Sequence, residues 1–240
     1  HNLINAACGA NVISMYETYS DCYKLVDAVC GPKVTMMQGT YSNCSNLINA
    51  ACGDLVRDMS GTYISCRNLT KVNIGRNVVC LRSTYANCYS LTEAYTGVRA
   101  TDIDYAFYNC SSLTNATISP AVVSMNYAFA DCWKLTHVQF LHSSCQYMIG
   151  AFTQCRSLIS ATVPDTVLFM KNAYSGCTNL TTAVCSNSVR DIIGTYAFCS
   201  NLTTAACGPN VSQMQYAYQY CTVLPIAVCG DKVGTMAGAY

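Results

Sequence analysis

Cys44-Ser-Asn-Leu-Ile-Asn-Ala-Ala-Cys-Gly-Asp-Leu-Val-Arg-Asp-Met-Ser-Gly-Thr-Tyr-Ile-Ser65 is one unit of a pattern that fills the chain. A cysteine opens a new unit at 22, 44, 66, 88, 110, 132, 155, 177, 199 and 221, a step of 22 with one interval of 23 after Cys132. Eleven units account for the 240 residues. Self-similarity at this period overrides the one or two globular domains that length alone suggests, and it predicts a solenoid.

Numbered from its cysteine, each unit places leucine at position 4, as in Leu25, Leu47, Leu69, Leu91, Leu113 and Leu135. Position 7 is always Ala or Val, and position 9 is Cys, Ile, Val, Phe or Thr. Residues two apart on an extended chain face the same side, so positions 6 to 10 read as a short strand with 7 and 9 turned inward. Gly at position 10, as in Gly31 and Gly53, and proline after it, as in Pro32, end that strand. Val34, Met37 and Tyr41 then show an i, i+3, i+7 spacing, which predicts a helical or 3₁₀ face at positions 13 to 20. Position 20 is aromatic in every unit, from Tyr19 through Tyr41, Tyr63 and Phe129 to Tyr240. No unit can bury these residues alone. Stacking covers each with the next, about 4.8 Å per coil.

The run V-x-x-M-x-x-[TA]-[YF]-x-x-C-x-x-L, as in Val122 to Leu135, resembles the BspA-like leucine-rich repeats, including the Mycoplasma surface-lipoprotein variety, and it does so along the whole chain. The resemblance implies a leucine-rich-repeat solenoid, with a parallel β-strand ladder on one face and short helical or 3₁₀ turns on the other. It also implies a group dominated by bacterial and protist surface proteins, some adhesive, with relatives in phage proteins. The unit departs from the family pattern in placing Met, Ala and Cys at inward positions.

Composition narrows the role. Apolar residues make up 52% and charged residues only 10%, low for a soluble protein, so solubility rests on Ser, Thr, Asn and Gln. That balance fits an extracellular, cell-surface or virion setting. Net charge is +1 with basic residues scattered, so there is no nucleic-acid footprint, and no run is long and apolar enough for a membrane span. No nucleophile elbow, phosphate loop, zinc-protease motif or dinucleotide fingerprint occurs, so nothing points to catalysis or to a cofactor.

Of the eighteen cysteines, ten form the position-1 ladder that includes Cys44, Cys66, Cys88 and Cys110, and six sit at position 9. They read as buried thiols. Disulfides between adjacent coils are the rival reading, opposed by side chains that point in parallel. The irregular unit from Cys132 holds His137, His142 and Cys145, a conceivable metal set set against a tolerated loop insertion. Position 8 lines the outward strand face, and in units four to seven it turns polar, with Asn73, Tyr95, Thr117 and Gln139 accompanied at position 6 by Lys71, Glu93, Asn115 and His137. These eight form the expected binding strip. The partner it implies is a protein or glycan on another cell or virion. Neither end of the array shows a polar capping unit, which leaves a segment of a longer array, or head-to-tail stacking of copies into a filament, as the alternative.

Overall fold

The computed structural model describes residues 2–240. Eleven coils stack in register around one apolar core that runs from Ala6 to Ala239. Leu25, Leu47, Leu91 and Leu113 lose all contact with solvent, as do Met37, Met59, Met125 and Met214. The aromatics at position 20 form one continuous offset stack. Tyr19 and Tyr41 have ring centroids 5.7 Å apart and nearly parallel planes, and the column continues through Phe107–Phe129 at 5.3 Å to Tyr218–Tyr240 at 6.2 Å. Offset stacking is a favoured geometry for aromatic pairs, so the column adds specific contacts to simple burial.

The strands are short, parallel and paired at a constant offset of one repeat. They form three separate sheets: β1 (Asn5–Ala7), β2 (Asp27–Val29) and β3 (Asn49–Ala50); β4 (Glu93–Tyr95), β5 (Asn115–Ile118) and β6 (His137–Phe140); β7 (Thr182–Val184), β8 (Thr204–Ala206) and β9 (Ala227–Val228). The ladder lapses in coil 4 (residues 66–87) and in coil 8 (155–176), where only the bridge Ser160–Thr182 remains. At both lapses a tyrosine fills in. The Tyr85 hydroxyl donates to the Asn73 carbonyl at 3.0 Å, and the Tyr174 hydroxyl to the Thr162 carbonyl at 2.9 Å. Both carbonyls belong to position 8.

The other face corrects the sequence reading, because among the described residues it contains no helical or 3₁₀ turn. Positions 18 and 22 adopt positive φ in coil after coil: Glu17 and Asp21, Gly39 and Asn43, Gly61 and Ser65, Ser83 and Asn87. A residue in that region stops a helix, and as the third residue of a four-residue turn it gives the type II signature. The turns Met37–Thr40 and Tyr41–Cys44 close with backbone bonds of 3.1 Å each. A type II turn sets its central peptide across the plane of the turn, here along the stacking axis. That peptide's N–H therefore reaches the following coil, as Glu17 does to the Gln38 carbonyl (3.0 Å) and Asp21 to that of Ser42 (2.8 Å). An inward-facing turn produces the same apolar interval as a helical face, so the spacing of Val34, Met37 and Tyr41 predicts a helix where the backbone turns instead. A second parallel column of bridges, from Ser14–Met36 to Gln213–Thr235, runs beside these turns without a break.

Candidate functional site

The site begins at the first lapse in the strand ladder. Among the described residues, no backbone N–H of residues 70–74 donates to another backbone group. The Asn73 side chain substitutes in part, its amide donating to the Ala50 carbonyl at 3.3 Å. Beside this unpaired segment lies a cleft of about 690 Å³ lined by Thr70, Lys71, Val72, Thr92, Glu93, Ala94, Tyr95, Asn115 and Thr117. Five of the eight residues expected to form the binding strip therefore converge on one cavity: Lys71, Glu93, Tyr95, Asn115 and Thr117.

Strand register explains how they are placed. Glu93, Asn115 and His137 align on successive strands, as do Tyr95, Thr117 and Gln139. Ala94 and Ala116 between them turn into the core, which forces their neighbours outward. His137 and Gln139 are exposed one coil beyond the cleft and do not line it. Asn73 is exposed at its margin.

Lys71 and Glu93 occupy the same position on adjacent coils and carry opposite charges, yet no ion pair joins them. The ion pairs among the described residues are Arg76–Asp54 and Arg82–Asp102. On the intact ladder the equivalent neighbours do meet, as where the Asn49 amide donates to the Asp27 carboxylate at 2.8 Å. The cleft thus offers an ammonium and a carboxylate with free valence, a phenol that is 41% exposed, and strand backbone without a ladder partner. Such a set can hold a ligand rich in hydrogen-bonding groups. It contains no nucleophile aligned with a base.

The irregular seventh coil does not gather its candidates. Cys145 takes the inward place that valine fills in most coils and is buried, and its thiol faces the Tyr147 carbonyl at 3.6 Å. His137 and His142 stay exposed. Among the described residues, no three His, Cys, Asp or Glu side chains stand close enough to share a metal ion. Likewise no helix is long and apolar enough to cross a membrane.

Two features escaped the sequence reading. Tyr105 and Tyr127 stack at 5.0 Å on the turn face, both at positive φ, with the Tyr127 ring lying where a side chain on Gly150 would stand. The signal was a tyrosine at position 18 on two successive coils, where most others carry Gly, Ser or Asn. The second is the role of the position-1 cysteines. Each thiol from Cys44 to Cys221 opens its coil and donates to the position-20 carbonyl two coils earlier in the chain, as Cys66 does to Tyr41 (3.1 Å) and Cys132 to Phe107 (3.2 Å). Burial pushes the Cys44 and Cys110 thiols up to about 12, so they remain protonated donors.

The fold has solved counterparts. A leucine-rich repeat protein of T. pallidum (TpLRR) superposes with a TM-score of 0.56 at 20% identity, covering 61% of this chain and 72% of that one. A leucine rich cell surface protein of Faecalibacterium prausnitzii A2-165 superposes with a TM-score of 0.57 at 18% identity, covering 91% and 69%. Likeness at that identity speaks for the fold alone. Comparison with curated proteins gives no match. The BspA type leucine-rich repeat region matches in six copies, over residues 10–92 and 101–225, most of the chain, and the protein belongs to that family.

Proposed function

We propose that the protein is a non-enzymatic scaffold of the cell surface or extracellular space, whose strand face binds a protein or glycan partner at the coil 4–coil 5 cleft. Family membership and the leucine-rich cell surface counterpart support the setting. The observation that carries the site is the lapse in the ladder, which leaves Lys71 and Glu93 unpaired over a cleft that also holds Tyr95. Exposed, unpaired charges beside an aromatic are the kind of group that concentrates binding energy at interfaces.

The triple variant Lys71→Ala/Glu93→Ala/Tyr95→Ala tests this, since all three side chains are exposed and their loss leaves the core intact. Purified protein should bind immobilised host cells, matrix proteins or an arrayed glycan set, and the variant should lose at least about tenfold in affinity. Equal binding by variant and parent, or no partner for either, overturns the reading.

A further inference from the structure

The tyrosines of the central column follow a rule. Coils 5, 6 and 7, whose strands pair with one another in the central sheet, carry Phe107, Phe129 and Phe152. Coils 4 and 8 carry tyrosines whose hydroxyls serve the freed strand carbonyls. The remaining six coils all combine tyrosine at position 20 with cysteine at position 9. There the phenol faces sulfur: Tyr196 lies 3.7 Å from the Cys185 thiol, and Tyr240 lies 3.6 Å from that of Cys229. In the same setting the hydroxyls of Tyr41, Tyr63 and Tyr218 are buried with no hydrogen-bond partner. An unpaired buried hydroxyl is costly, so its retention beside a thiol calls for a cause.

The thiols themselves are arranged as a row. Cys8, Cys30 and Cys52 are half-buried and reachable from solvent, and each leans along the axis toward the next coil. Their sulfurs lie 2.9, 3.3 and 3.2 Å from where a β-carbon would stand on Gly31, Gly53 and Gly75, so the position-10 glycines make room for the lean. Parallel rungs about 4.8 Å apart suit one coordination geometry in particular. A linear sulfur–metal–sulfur unit spans twice the bond length, about 4.6 Å at the zinc–sulfur length of about 2.3 Å, whereas the sulfurs of tetrahedral zinc stand about 3.8 Å apart and number four.

We propose that the position-9 thiols of adjacent coils, Cys8–Cys30–Cys52 and the matching pair Cys207–Cys229, bind a soft monovalent cation of the copper(I) class in linear, two-coordinate fashion. Thiolate sulfur selects such ions. Each set takes one ion between two neighbouring thiols; the ion displaces their two S–H protons to solvent and keeps its oxidation state, so no oxidant or reductant takes part. The resulting thiolates accept hydrogen bonds from the waiting phenols of Tyr41 and Tyr63, and from Tyr218 at the second set.

The test is an anaerobic titration with copper(I) against a chromogenic copper(I) chelator, with absorption edge spectroscopy to count sulfur neighbours. The parent should show two-coordinate sulfur ligation. The Cys8→Ser/Cys30→Ser/Cys52→Ser variant should lose about half of the tightly bound copper, with thermal melting to confirm that it folds. Should that variant not fold, Tyr41→Phe/Tyr63→Phe carries the test, since it keeps every thiol and should weaken binding at the first set about tenfold. Unchanged copper binding in whichever folded variant is used, or three-coordinate sulfur in the parent, overturns the proposal.

Discussion

At the scale of single residues, cysteine at position 1 does what no aliphatic side chain could. It fills a small dry space and also donates to a carbonyl two coils earlier in the chain, as Cys110 does to Tyr85 at 3.1 Å. Donation requires the proton, and that sets a dependence on pH. Burial raises the Cys44 and Cys110 thiols to about 12, while the same groups in the unfolded chain titrate near 8.5. Between those values the folded chain holds protons the unfolded chain has lost. The thiols' contribution is therefore whole below about pH 8.5 and drains away as pH rises toward 12. Each fully buried thiol should remove about 1.4 kcal/mol of stability per pH unit in that window. Urea midpoints recorded from pH 7 to 10 should fall steeply above about 8.5, and a flat profile would contradict protonated donors.

At the scale of the element, the turn column explains residues that apolar spacing cannot. Positions 18 and 22 need positive φ, which glycine adopts freely and other residues at a cost of about 1 kcal/mol. Gly61 (φ +66°) and Gly150 (φ +60°) differ in surroundings. A methyl group on Gly61 would meet only the end of Ile64 at 3.3 Å, but on Gly150 it would strike the Tyr127 ring. Gly61→Ala should cost about 1 kcal/mol and Gly150→Ala at least twice that by thermal or urea unfolding, with the Tyr105–Tyr127 stack disturbed only in the second. The inward ladder was legible because Leu25, Tyr41 and their equivalents repeat without exception. The turn type was not read, although Asp21, Asn43, Asn87 and Asn109 at position 22 advertise it. Apolar spacing tells which side chains face inward and says nothing of the backbone between them. The outward strip was legible for a related reason, since strict alternation on β4 to β6 fixes which side chains leave the core. The lapse beside Lys71 was not, because it depends on how neighbouring coils approach rather than on any one unit.

At the scale of the whole molecule, each coil is covered only by its neighbours, so cohesion resembles a sum of interfaces. Leu113 sits fully buried near the middle of the array. Leu113→Asp places a carboxylate in that dry space and should uncouple the two flanks, giving two calorimetric transitions where the parent gives one. A single cooperative transition in the variant would show that cohesion is not carried rung by rung. The two sides of the array are built unequally. The turn side is bonded without interruption, from Ser14–Met36 to Gln213–Thr235, while the strand side is cut at coils 4 and 8. A rod with one seamless edge and two notches in the other has its compliance placed in advance: it yields at the notches and toward one side. The proposed cleft lies in the first notch, so a ligand seated there would act as a wedge or a splint on the joint that sets the rod's bend.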